Sequence, residues 1–353
     1  GGFDNVVSGF DATVAGGSWN FASSYKSFIG GGYSNIIGAE ASGGWGAKRR
    51  NLVEESSDGV YGTIGGGLWN FIPSGYAATI GGGAWNTAEG DYASVAGGYW
   101  NYAVSDGASV GGGGWNSAFG SYSVVGGGWS NSATGEESIV GGGSWNAATE
   151  MYAAVGGGYW NVVSGYSASV GGGYRNDATS PYSSVGGGNW NGAVGDVSTI
   201  AGGRWNYAAG AYTSIVGGDE NTVLGYGGSV GGGVWNVVTD GYSHVGGGES
   251  NTATGEHGTL SGGQWNYVSG DFGSISGGED NFVSSSYGAV GGGSWNEVGM
   301  SATVAGGTSN TAAGAYGSVG GGYDNWASAA ARVGGGSGNA ASGEYATIGG
   351  GEG

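Results

Sequence analysis

The chain has 353 residues, a formal net charge of −19 from 26 acidic and 7 basic side chains, and no cysteine. Disulfides and thiolate metal sites are thereby excluded, and so negative a surface repels nucleic acid and anionic membrane, leaving neither as an expected partner. With 93 glycines against two prolines the chain is not collagen, and 15 Trp and 22 Tyr set it apart from disordered low-complexity sequence.

The unit Val155-Gly156-Gly157-Gly158-Tyr159-Trp160-Asn161 is restated every fifteen residues almost from end to end. A fixed period of this kind predicts units too small to bury a core alone, stacked so that each leans on its neighbours. The expected fold class is all-β, a parallel β-solenoid or β-roll of about 15-residue coils, forming one repeat domain over 1–353. Taking the asparagine as position zero, its column begins Asn5, Asn20, Asn35 and resumes at Asn70. It continues through Asn86, Asn101, Asn116, Asn131, Asn146, Asn161, Asn176 and Asn191 to Asn296, then closes with Asn310, Asn325 and Asn339. The stretch 36–60 breaks the period and reads as a degenerate coil with an inserted loop. That loop holds Lys48, Arg49 and Arg50, a possible docking knob for acidic positions of a neighbouring copy.

Within a coil, position seven is small, nine is Val, Ile or Leu and eleven is Gly, as in Ala93, Val95 and Gly97. Alternation with period two predicts a strand with these residues inward and the Ser/Thr of position eight outward. Glycines on either side are expected to supply positive φ, and the asparagine to occupy a turn, tolerating the left-handed region while bonding to the asparagine one coil away. Two short strands per coil are expected, with a rise of about 4.8 Å and a rod on the order of 110 Å long. No apolar run approaches the roughly twenty residues of a membrane helix, so membrane insertion is not expected. Beginning at Gly1-Gly2 inside a repeat and stopping at Glu352-Gly353 where another Asn is due, the chain reads as a piece of something longer.

A fifteen-residue coil has room inside for Ala, Ser, Gly and Val but not for indoles. The tryptophans that precede the ladder asparagine are therefore expected outside, stacked coil upon coil into an aromatic stripe. They include Trp85, Trp100, Trp115, Trp145, Trp160, Trp190, Trp205, Trp235, Trp265 and Trp295. Soluble monomers rarely leave such a stripe bare, so it is expected either to meet other copies of the chain or to grip sugar rings.

Units such as Ala208-Ala209-Gly210-Ala211-Tyr212-Thr213-Ser214-Ile215-Val216-Gly217 resemble the head repeats of trimeric autotransporter adhesins, and related repeats of phage tail-fibre-like proteins. The resemblance implies a left-handed parallel β-roll, three chains side by side, displayed at a cell or virion surface for attachment. The chain departs from that pattern in its triple glycine and its Trp-Asn pair.

Nothing in the repeat suggests catalysis. His244 and His257 fall where other coils carry Ser or Tyr, no nucleophile stands beside a base, and the triple glycines lack the Lys-Ser/Thr of a phosphate loop. No cofactor and no metal site is expected. Acidic residues at position five (Asp91, Asp106, Glu136, Asp271) are expected to keep a fibre soluble. The sequence therefore points to a structural subunit of an extracellular fibre or adhesin shaft that partners with itself. Its alternatives are a carbohydrate-binding attachment module recognising surface glycans and, from the Ser/Thr column, an ice-binding surface.

Overall fold

A computed structural model describes residues 2–38 and 60–353, which fall into two units, Gly1–Arg175 and Asn176–Gly353. Lys48, Arg49, Arg50 and most of 36–60 lie outside the described residues. All strands are parallel, no helix occurs among the described residues, and the coils are those of a β-solenoid with about 15 residues per turn.

In Gly1–Arg175, positions one and two form one ladder and positions eight and nine another. Thr87–Ala88 lies beside Tyr102–Ala103, and Ser94–Val95 beside Ser109–Val110, each residue opposite its counterpart in the next coil. A third ladder consists of single bridges at position thirteen, as from Ala84 to Tyr99 and Tyr99 to Gly114. One-residue bridges have no alternation to betray them, so only two ladders could be read from the sequence. Asn176–Gly353 repeats the plan: Asp177–Ala178 pairs with Gly192–Ala193, Ser184–Val185 with Thr199–Ile200, and Asn189 with Arg204.

The core is aliphatic and narrow. Ala88, Ala93 and Val95 in the first unit and Ala193, Ile200 and Val238 in the second are at most 1% exposed, while Thr87 and Ser94 stay partly open on the outer face. Burying each Val or Ile contributes about 1.5–3 kcal/mol, and this increment recurs in every coil. The inward alternation ends at position nine, however. Gly97 at position eleven is half-exposed in a bend rather than inward on a strand.

The turns differ from expectation in which residues carry the unusual backbone. The left-handed conformation falls on Trp85 (φ 60°), not on Asn86, and on Tyr92 (φ 58°), not on Gly90 before it. Gly90 is required for another reason: a Cβ there would lie 2.2 Å from the carbonyl carbon of Ser105 in the next coil. At Gly98 both constraints meet, with φ +98° and a would-be Cβ 2.1 Å from the Gly113 oxygen. Each coil thus contains two similar halves, a left-handed residue, a buried small or amide residue, then an outward–inward strand pair. Trp85-Asn86-Thr87-Ala88 and Tyr92-Ala93-Ser94-Val95 show this in one coil.

The asparagines are the polar spine of each unit. Asn116 is fully buried; its Nδ2 donates to Asn101 Oδ1 (3.1 Å), Gly112 O (2.8 Å) and Gly128 O (2.9 Å). Its Oδ1 accepts from the backbone N–H (3.0 Å) and Nδ2 (3.2 Å) of Asn131. The side chain therefore joins three consecutive coils and satisfies backbone groups that the narrow interior cuts off from water. The same arrangement continues through Asn86, Asn101, Asn131 and Asn146 to Asn161, and in the second unit from Asn176 and Asn191 onward. The 35 residues from Asn35 to Asn70 make a single ladder step, with Asn70 Nδ2 donating to Asn35 Oδ1 at 3.1 Å and Ile36–Ile37 pairing with Phe71–Ile72.

Candidate functional site

With the interior sealed by aliphatic and amide side chains, the chemistry left at the surface is aromatic. The left-handed turn before each ladder asparagine sends the tryptophan outward. In Gly1–Arg175, Trp69, Trp85, Trp100 and Trp115 form a continuous stack, with centroid separations of 5.2, 5.0 and 5.3 Å and planes within 11° of parallel. Each inner ring thus covers a face of its neighbour, and a shallow groove of about 300 Å³ runs beside the stack, lined by Trp69, Trp85, Trp100, Phe71 and Tyr102. Ser130 interrupts the column; beyond it Trp145 meets Trp160 edge-on at 6.5 Å, and the Arg175 guanidinium lies 4.1 Å from the Trp160 ring centre. The stripe is therefore stacked in runs rather than at every coil.

Asn176–Gly353 arranges the column differently. Trp190 and Trp205 stack at 4.7 Å, after which indoles alternate with polar residues: Glu220, Trp235, Ser250, Trp265, Asp280, Trp295. Trp235 Nε1 donates to Glu220 Oε2 at 2.7 Å. Trp235, Trp265 and Trp295 are 50–62% exposed. Beside this column Arg204 forms a two-pronged ion pair with Asp219, Nε to Oδ1 at 3.0 Å, which holds the Asp219 carboxyl below the usual carboxylate range.

A second aromatic column, which the sequence reading did not single out, arises at the coil's other left-handed turn. In the first unit Tyr61, Tyr76 and Tyr92 follow one another at 5.3 and 5.4 Å. In the second, six rings run from Tyr212 through Tyr226, Tyr242, His257 and Phe272 to Tyr287, spaced 4.8–5.5 Å. His257 is stacked between Tyr242 and Phe272, so it stands in for an aromatic ring there. The recoverable signal was the frequent recurrence of Tyr, Phe or His six or seven residues after the Trp column position, as at Tyr226, Tyr242, His257 and Phe272.

The acidic residues of position five also have structural partners. Asp91 Oδ1 accepts the Tyr76 N–H (2.7 Å), Asp106 that of Asp91 (3.0 Å) and Asp271 that of Glu256 (3.0 Å), each tying one coil to the one before. His244 Nδ1 lies 2.8 Å from Ser229 Oγ on the outer strand face, in the column where Ser94 bonds Ser109. No protein-family model matches the chain, and no curated protein matches it, so the functional reading rests on this geometry.

Proposed function

We propose that this chain is a structural subunit of an extracellular or surface-displayed fibre or adhesin shaft, non-enzymatic, whose copies associate through the stacked aromatic column. The observation that supports it most is the placement of bulky aromatics on left-handed backbone. Trp85, Trp115, Trp145 and Tyr122 hold φ of 57–60°, a conformation that costs a non-glycine residue roughly 1–3 kcal/mol. Glycine fills the Tyr122 turn at Gly107 and Gly227, and serine fills the tryptophan turn at Ser130 (φ 53°) and Ser250 (φ 54°), so folding does not require a ring at either. The rings are kept for what they touch.

Contact with another copy suits the first unit better than sugar stacking, because the faces of Trp85 and Trp100 are occupied by neighbouring indoles. Trp85, Trp115 and Trp145 are 36–50% open, which leaves on the order of 100 Å² each. A stable interface takes roughly 800 Å² per partner, so pairing must extend over several coils and include the flanking Phe71 and Tyr102. A fibre contact meets that requirement naturally.

Sedimentation velocity on the full chain tests the reading. The wild type is expected as multi-chain particles, and a Trp85→Ser/Trp100→Ser variant as single chains with unchanged circular dichroism; Ser130 already occupies this column, so the coil accepts serine. A wild type that stays single-chain at high concentration would count against assembly.

A further inference from the structure

The alternating column of Asn176–Gly353 presents ring faces that the stacked column hides. Trp235, Trp265 and Trp295 are separated by two coils, about 9.5 Å from the strand spacing of a sheet, and the coils between them carry Ser250 and Asp280. No ring contact joins these three indoles among the described residues. Carboxylates flank them at position thirteen, where Glu249 and Glu279 sit on either side of Gln264 in the bridge ladder. Positions thirteen and fourteen lie side by side on the surface, as the 6.0 Å separation of Tyr99 and Trp100 shows in the first unit.

We propose that Trp235, Trp265 and Trp295, with Glu249, Glu279 and Asp280 between them, form a binding ladder for an extended, cationic β-1,4-linked amino-sugar glycan. In such a glycan each ring is turned over relative to the last, so one apolar sugar face recurs once per disaccharide. A disaccharide is about as long as two coil rises, which brings each repeat over one indole. The carboxylates select the charge. Basic residues of Asn176–Gly353 are confined to Arg204 and Arg332, and Arg204 is engaged by Asp219, so no basic side chain neutralises Glu249, Glu279 or Asp280 among the described residues. That sign favours protonated amines and disfavours both uronic-acid polymers and a second copy of this acidic chain. The inference is independent of pairing through the stacked column.

The test is calorimetric titration of the full chain, with tryptophan fluorescence alongside. The probes are hexamers of β-1,4-linked glucosamine, N-acetylglucosamine and glucose, together with polygalacturonate. The glucosamine hexamer is expected to bind saturably and best, spanning three disaccharides over three indoles. Trp265→Ser, which reproduces the residue of the preceding coil, is expected to weaken it about tenfold. Glu279→Gln/Asp280→Asn should weaken the glucosamine hexamer and leave the glucose hexamer unaffected, while Trp19→Ser, at an exposed indole outside both runs, should leave both unchanged. Absence of saturable binding, equal losses in Trp265→Ser and Trp19→Ser, or polygalacturonate binding as well as glucosamine would overturn the proposal. Equal affinity for the neutral hexamers would overturn its charge component.

Discussion

Replacing Asn116 by alanine removes one rung of the spine and gives a loss that can be worked out bond by bond. The substitution deletes the Nδ2 bonds to Asn101 Oδ1, Gly112 O and Gly128 O, and the Oδ1 that receives Asn131 N and Nδ2. Several partners retain other bonds: Gly128 O still accepts the Gly114 N–H, and Asn131 Nδ2 still reaches Gly127 O and Gly143 O. The buried Asn131 N–H retains none, at about 1–3 kcal/mol, and the two hydrogens of Asn116 Nδ2 contribute about 1 kcal/mol each, so the expected loss is about 3–5 kcal/mol. Asn116→Asp should be worse near neutral pH, because a buried carboxylate oxygen would then face the carbonyls of Gly112 and Gly128. Stability of a stacked array depends on nearest-neighbour contacts, so the assay pairs denaturant melting with hydrogen exchange of the amides on either side of the substituted coil. Ser109→Ala, on the outer face, is the control and should stay within about 0.5 kcal/mol of wild type. If Asn116→Ala behaves like that control, the ladder does not hold the coils together.

Other expectations follow from single sites. Ser138 Oγ is fully buried without a hydrogen-bond partner in a column where Ala93 and Ala153 serve, so Ser138→Ala should raise stability by about 1 kcal/mol in thermal melts; a loss of that size would refute the unpaired hydroxyl. Tyr122 is 64% exposed at φ 57°, and Tyr122→Gly should be neutral or stabilising by up to about 1 kcal/mol, whereas marked destabilisation would show that folding itself needs the ring. The Arg204 hydrogen bond and charge hold Asp219 below its ordinary pKa. The stability from this pair is therefore present above the unfolded carboxylate value and lost as pH falls through the lower folded value. Carboxyl NMR titration should place Asp219 below the ordinary carboxylate range in wild type and return it to that range in Arg204→Ala.

The period of the asparagine column and the inward aliphatic residues were legible because a solenoid writes every contact into sequence at a fixed spacing. Val95 opposite Val110, or Asn101 bonded to Asn86, is simply the fifteen-residue repeat seen in space. What escaped was set by backbone geometry. Positive φ does fall on glycines such as Gly83 and Gly98, as turn chemistry leads one to expect, but left-handed φ at Trp85 and Tyr92 runs against the usual association of that region with Gly and Asn, so these two turns were not legible. The bridge at Tyr99 is too short for any pattern. The second aromatic column was obscured because its rings come from both position five and position six, as Tyr226 and Tyr242 do. The alternation of the later tryptophans with Glu220, Ser250 and Asp280 is written in the sequence, but residue types do not tell which neighbouring indoles stack face to face, as Trp85 and Trp100 do, and which meet edge-on, as Trp145 and Trp160 do.

If copies meet through the stacked column, the alternating column stays open. Oxidative footprinting of tryptophans, comparing the assembled full chain with chains dissociated by dilution, tests that division directly. Trp85, Trp100 and Trp115 are expected to lose reactivity on assembly while Trp235, Trp265 and Trp295 keep theirs. Uniform reactivity across both sets, assembled or not, would contradict that division.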